Sequence, residues 1–163
     1  MTFIDSIKRL FSKKPAVALP VRYAVGIVIY DTVSSKALGI KRAIDDEYFP
    51  GMWCLPETMV RLSETPSQAV KRAALQKLGA SVTAEQVAHG TLNREDHILD
   101  VQLFEARLDH GLPVVQKTDG SMTQYDEWDW VVADKLVPAA RSGSLACQLF
   151  LRRIGKSWDK KTP

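Results

Sequence analysis

One stretch, Gly51 to Ala80 (GMWCLPETMVRLSETPSQAVKRAALQKLGA), constrains this chain more than any other, because it joins a short strand, a loop and a helix with both ends marked. Thr65 or Ser67 caps the helix by accepting a hydrogen bond from a first-turn amide. Pro66 is tolerated in that turn because its missing N–H has no intrahelical acceptor there. Gly79 follows the last helical residue, near Leu78, and supplies the left-handed conformation that ends a helix. A lone helix of this size needs an apolar surface to pack on, and the neighbouring segments read as strands.

VRYAVGIVIYD, residues 21 to 31, is rich in β-branched and aromatic residues and predicts a buried strand. Ser34 and Ser35 turn the chain, and ALGIKRA returns as a second strand. DDEYFPG, from Asp45 to Gly51, is a polar loop ending in a Pro-Gly turn. Trp53 to Leu55 begins a strand that Pro56 interrupts, and Glu57 onward reads as loop. Val87 to Leu92 and Ile98 to Leu108 form two further strands across the polar turn NRED, and Asp126 to Val132 forms another. Ser142 to Ile154 is a closing helix. Strands around one helix, with a second helix at the end, predict an α/β sandwich rather than a doubly wound sheet.

A chain of 163 residues fits one domain with a genuine core. A net charge of +3 without clustered Lys and Arg argues against a nucleic acid polymer as partner. Cys54 and Cys147 have neither metal-site nor disulfide-framework spacing, which points to reduced thiols in a cytoplasmic protein. No apolar run is long enough to span a membrane. At the N-terminus, Phe3, Ile4, Ile7, Leu10 and Phe11 recur at helical spacing opposite Asp5, Lys8, Arg9, Lys13 and Lys14. Membrane-surface anchors share this pattern, as do helices docked on their own domain or on a partner subunit, and docking, with a homodimer as one form of it, is the expectation. The organisation is therefore an amphipathic helix over 1–14, a linker over 15–20, the main domain over 21–156 and a frayed tail over 157–163.

The Gly51–Ala80 segment resembles the box of the Nudix hydrolases, G-x5-E-x7-R-E-U-x-E-E-x-G-U, with U a bulky aliphatic residue. Its loop Glu falls on Glu64, its Arg on Arg72 and its last Gly on Gly79. The opening Gly falls on Thr58, and the three glutamates of R-E-U-x-E-E fall on Ala73, Gln76 and Lys77. PGMWCLP is similar to the family's PG-x-W-x-L-P lead, and AVGIVIYD to its first core strand. Glu127-Trp128, followed by Val131 and then Asp134-Lys135-Leu136, resembles a downstream element. The likeness covers roughly residues 21 to 154 and implies a Nudix-type α/β/α sandwich with a mixed sheet.

The resemblance also implies what the box does. Positions 73, 76 and 77 lie on one helical face, where glutamates hold Mg²⁺ or Mn²⁺ against a diphosphate. The metal polarises the phosphoryl group and activates water. Here the face reads Ala, Gln, Lys, so no metal cofactor is expected. Glu64, Arg72 and Gly79 are expected to hold loop and helix together. Lys77, with Arg72, Gln76 and nearby Lys71, is a candidate contact for a small phosphorylated ligand. Glu57, Glu64 and Glu95, with Asp96 and Asp100 beside them, are the carboxylates from which catalysis would have to be rebuilt. Trp53, Trp128 and Trp130 read as core or cleft-wall aromatics, His89, His97 and His110 as structural or exposed, and Cys54 as a small buried residue. Two functions follow from these residues. One is a Nudix-fold ligand-binding or protein-interaction module without standard hydrolysis. The alternative is a hydrolase of nucleoside diphosphate derivatives that uses Mg²⁺ or Mn²⁺ at a relocated site.

Overall fold

The computed structural model describes residues 18–114 and 125–159, with the side chain of Asp126 left out. The amphipathic segment 1–14, the first half of the linker and the last four residues lie outside them.

Eight strands appear in chain order: β1 (Val21–Val28), β2 (Tyr30–Asp31), β3 (Lys36–Arg42), β4 (Trp53–Cys54), β5 (Glu57–Met59), β6 (Val82–Asn93), β7 (Ile98–Leu108) and β8 (Tyr125–Val132). Helix α1 (Pro66–Leu78) follows β5. A 3-10 turn over Ala133–Leu136, α2 (Val137–Arg141) and α3 (Leu145–Arg153) close the domain. One sheet runs β5-β1-β7-β6 and is mixed, since β1 pairs parallel with β7 while β5 and β6 pair antiparallel. In the other sheet β3 pairs antiparallel with β2, β4 and β8.

Helices α1 and α3 both pack on the mixed sheet, giving the layered α/β arrangement expected. The approach of α3 depends on glycine. A β-carbon on Gly26 would lie 2.7 Å from the Ala146 β-carbon, and one on Gly90 3.2 Å from a Leu149 methyl. Val25, Ile27, Leu38, Ile40, Leu55, Leu103 and Phe150 fill the core and are essentially inaccessible to solvent. Each such side chain contributes about 1.5–3 kcal/mol by leaving water. A 13-residue helix such as α1 is marginal alone, so burial of Val70, Ala74 and Leu78 decides its stability.

Two local expectations need correction. Glu57–Met59 is an edge strand on β1 and not loop, anchored by Ile27 N–H to the Pro56 carbonyl and Val60 N–H to the Tyr23 carbonyl. Its residues are polar or half-buried, so apolar alternation gives no sign of it. Strand β6 begins at Val82, and a register shift between Gln86 and Ala88 breaks the alternation that would reveal its full length. The expected closing helix is α3, capped by Ser144, and a short helix not expected from the sequence, α2, precedes it across Gly143 at φ 97°. Trp158, near the start of the tail, packs against the core, with the Arg152 guanidinium 5.5 Å from its ring. Among the described residues no helix is long and apolar enough to cross a membrane.

Candidate functional site

Helix α1 is fixed at both ends before it presents any chemistry. Thr65 Oγ1 accepts from Gln68 N–H at 3.3 Å, and Gln68 Oε1 accepts from Thr65 N–H at 2.8 Å, a reciprocal cap. Gly79 closes the helix at φ 58°, where a β-carbon would also strike the Val114 carbonyl at 2.7 Å.

Arg72 ties this helix to the preceding loop. Its Nε donates to Glu64 Oε1 at 2.7 Å and its Nη2 to Glu64 Oε2 at 2.8 Å, a bidentate pair. Nη2 also reaches the Met59 carbonyl at 2.9 Å, and Nη1 reaches Thr58 Oγ1 at 3.4 Å. The Arg61 N–H donates to Glu64 Oε2 at 3.1 Å. The Arg72 hydrogen bonds above all hold the Glu64 carboxyl down at about 2.

The positions that would face a metal turn out differently. Ala73 is fully buried in the core. Gln76 is half-buried, and its Oε1 has no hydrogen-bond partner among the described residues. Lys77 is 4% exposed, donates from Nζ to the Glu57 carbonyl, and sits 5.5 Å from the centre of the Tyr125 ring. Burial, and next the charge of Arg42, lower the Lys77 ammonium to about 8.

Arg42, at the end of β3, is the neighbour that completes this nest. Its Nη2 donates to Glu57 Oε1 at 2.9 Å, and its Nη1 lies 3.5 Å from Asp46. The guanidinium is 5.7 Å from the Tyr125 ring centre and 5.8 Å from that of Phe49. Burial works hardest against the charge of Arg42, but Glu57 first, with Tyr125, Cys54 and Asp46, together hold the group above its ordinary value. Burial raises the Tyr125 hydroxyl too.

Arg42, Phe49, Glu57, Arg72 and Lys77 are among the residues that line a cavity of about 520 Å³. Six of its lining side chains are cationic and one, Glu57, is a carboxylate. Arg42, Arg61, Arg72 and Lys77 stand toward the box. Arg22 and Arg94, with His97, stand toward the β6–β7 turn, and Ala24, Leu99 and Val101 form an apolar floor between. Arg22 Nη2 lies 3.3 Å from Asp96, and His97 Nδ1 lies 2.6 Å from the same carboxylate. Arg94 Nη2 donates to the Gly143 carbonyl at 3.2 Å.

Of the residues singled out in the sequence, the structure brings Glu57, Arg72 and Lys77 to the cavity wall. Glu64 stands behind that wall on Arg72. Glu95 is exposed in the turn before β7 and does not line the cavity. Lys71 points instead to a separate groove with Leu75 and Asp109. Asp100 Oδ1 accepts at 3.0 Å from His89 Nε2 and also stays outside. Trp53, Trp128 and Trp130 pack against the core, and Cys54 is fully buried with its thiol pushed up by its contact with Cys147 and by burial. Arg42, Tyr125, Arg22, Arg94 and His97 were not legible as neighbours of the box, although period-two alternation along β3 puts Arg42 on the face of Leu38 and Ile40. Among the described residues no group of three or more His, Cys, Asp or Glu side chains could hold a metal ion.

The NUDIX domain family model matches residues 20–146. In fold the chain is similar to the MutT protein of Methanosarcina mazei Go1, with a TM-score of 0.65 at 16% identity over 87% of this chain and 100% of that one. The solution structure of the E. coli ORF135 protein gives 0.66 at 18% over 90% and 100%. The NUDIX hydrolase from Nitrosomonas europaea gives 0.62 at 16% over 84% and 90%. No curated protein matches the chain in sequence. The box geometry, the mixed sheet and the family match agree, and the chain belongs to the Nudix family.

Proposed function

We propose that this Nudix-fold chain binds a small phosphorylated ligand in a metal-free cationic cavity and does not run the metal-dependent diphosphate hydrolysis associated with the box. The observation that carries this reading is Lys77, whose buried ammonium reaches the cavity from the helix face that would otherwise carry metal-binding glutamates. Ala73 and Gln76 add no carboxylate, and a cation at 77 repels another. The residues present do not fit a divalent ion. They do fit an anion. Asp46 and Glu57 both pair with Arg42, Glu64 with Arg72 and Asp96 with Arg22, so four carboxylates stand against six cavity cations and a positive surplus faces the interior. A buried lysine also costs the fold desolvation energy that a bound phosphate offsets.

The alternative, a hydrolase of nucleoside diphosphate derivatives with a relocated metal, rests on Glu57 as the one carboxylate in the cavity wall. Its Oε1 is engaged by Arg42, and Glu64 is held by Arg72. Calorimetric titration with ADP in EDTA, then in MgCl₂ or MnCl₂, separates the readings when paired with hydrolysis assays on nucleotide sugars and dinucleotides. ADP binding in EDTA, weakened by Mg²⁺, and no turnover are expected. Metal-dependent turnover that disappears in Glu57→Gln would establish the alternative instead.

A further inference from the structure

Five of the six cations lining the cavity are arginines, and Lys77 is the one primary amine that the described residues place in its wall. The distinction is chemical. A guanidinium keeps its proton and grips a phosphate through a fork of N–H donors, whereas a buried amine can give up its proton and become a nucleophile. Arg42, Arg61 and Arg72 already bring such donors to the side of the cavity where Lys77 stands. What Lys77 adds, and an arginine cannot, is its amine.

The surroundings of Lys77 favour the neutral amine. The residue is 4% exposed, its Nζ donates to the uncharged Glu57 carbonyl, and the centre of the Tyr125 ring lies 5.5 Å away. The Glu57 carboxylate is engaged by Arg42 at 2.9 Å and not by Lys77. A lysine is activated by desolvation or by a neighbouring cation, and here both act. Burial first, and then Arg42, bring the ammonium down to about 8. Near pH 7 about one such lysine in ten is neutral, against roughly one in 3,000 at the ordinary 10.5.

We infer that Lys77 is a nucleophilic lysine and that the cavity takes a small phosphorylated aldehyde or ketone, captured at its carbonyl carbon by Lys77 while the arginines hold its phosphate. The Nζ lone pair forms the new C–N bond. The carbonyl oxygen takes the two amine protons and leaves as water, which gives an imine and needs no oxidant or reductant. This assignment rests on the reading of the cavity as an anion site.

The test is trapping on the wild-type protein, in EDTA, with glyceraldehyde 3-phosphate and, separately, with glyceraldehyde. Sodium cyanoborohydride fixes any imine as a stable amine, and peptide mapping by mass spectrometry compares Lys77 with Lys71 and Lys135, which are exposed. Burial alone would make Lys77 the slowest of the three. With glyceraldehyde 3-phosphate, Lys77 should instead be labelled at least about tenfold more than either, a preference that shrinks severalfold with glyceraldehyde and that excess ADP suppresses. Labelling of Lys77 no greater than that of Lys71 overturns the nucleophile, and the anion site still stands if ADP binds in calorimetry. A Lys77 preference equal for the two aldehydes and indifferent to ADP overturns the anion site, and the phosphorylated class with it.

Discussion

Arg72 and Lys77 leave the same helix five residues apart and enter the same cavity, yet their surroundings treat charge in opposite ways. Arg72 meets a carboxylate with matched geometry, and its remaining donors find Met59 and Thr58. Lys77 meets a neutral carbonyl and an aromatic ring, with a second cation, Arg42, close enough to lower its proton affinity. The first arrangement is satisfied without any ligand. The second holds buried positive charge that the protein balances only in part, and Arg42 Nε and Gln76 Oε1 beside it lack partners among the described residues. A satisfied pair at the rim is what architecture needs, whereas uncompensated charge inside a cavity is what an anion site needs.

The largest expected effect tests the satisfied side. Arg72→Ala removes four hydrogen bonds and leaves Glu64, itself only 12% exposed, facing the loop without its cation. A loss of about 3–5 kcal/mol in urea denaturation is expected. A loss below about 1 kcal/mol would mean that the pair behaves like an ordinary surface bridge, and the contrast with Lys77 would collapse.

The unsatisfied side should respond to pH with the opposite sign from a salt-bridged lysine, whose proton affinity rises on folding. In the folded chain Lys77 titrates near 8, below its ordinary 10.5. Below about pH 8 it is protonated in both states and its burial penalty is fully present. Between about 8 and 10.5 the unfolded chain binds more protons, so the Lys77 contribution makes the fold more stable as pH rises. The whole relief amounts to about 3 kcal/mol at 1.36 kcal/mol per pH unit. It should appear as the difference between wild type and Lys77→Met over that range, since other groups titrate alike in both. A difference that stays flat means that Lys77 is not desolvated.

Lys77→Met also gives a smaller, two-sided outcome near pH 7. Replacing a buried charge with an apolar side chain of similar length should stabilise the protein by about 1–2 kcal/mol, because desolvation outweighs one hydrogen bond and one ring contact. The same variant should bind ADP at least about tenfold more weakly in EDTA. Stability gained together with binding lost marks a charge kept for a ligand. Stability lost with binding unchanged makes Lys77 a strut for β5.

The two sides also differed in how far the sequence revealed them. The loop–helix frame was legible because its parts lie close in the chain. Thr65, Pro66 and Gly79 mark the helix, and Glu64 stands eight residues from Arg72. The same locality let Lys77 be placed on one helix face with Ala73 and Gln76. What surrounds Lys77 comes from elsewhere, Arg42 from β3 and Tyr125 from β8, and so does the far side of the cavity: Arg22 from β1, and Arg94 and His97 from the β6–β7 turn. Their convergence depends on β1 lying parallel to β7 and on Glu57 joining β1 as an edge strand, pairings between distant segments that leave no periodic trace. Glu95, proposed by its closeness in sequence to a loop, lies outside the cavity, while its neighbours Arg94 and His97 line it.

The smallest expected effect decides how the two sides meet, because Glu57 touches both the cavity and its cations. In wild type its carboxylate draws positive charge from Arg42 while its carbonyl accepts from Lys77. Glu57→Gln keeps the size and the carbonyl contact but removes the one carboxylate that the described residues place in the wall. Arg42 keeps Asp46 at 3.5 Å, so it does not become an isolated buried charge. If the cavity is an anion site, ADP should bind this variant severalfold tighter, roughly 1 kcal/mol, since one repulsive charge is gone. Weaker ADP binding, or a requirement for Mg²⁺ that the variant abolishes, would show that Glu57 serves as a ligand to metal and not as a counter-charge to arginine.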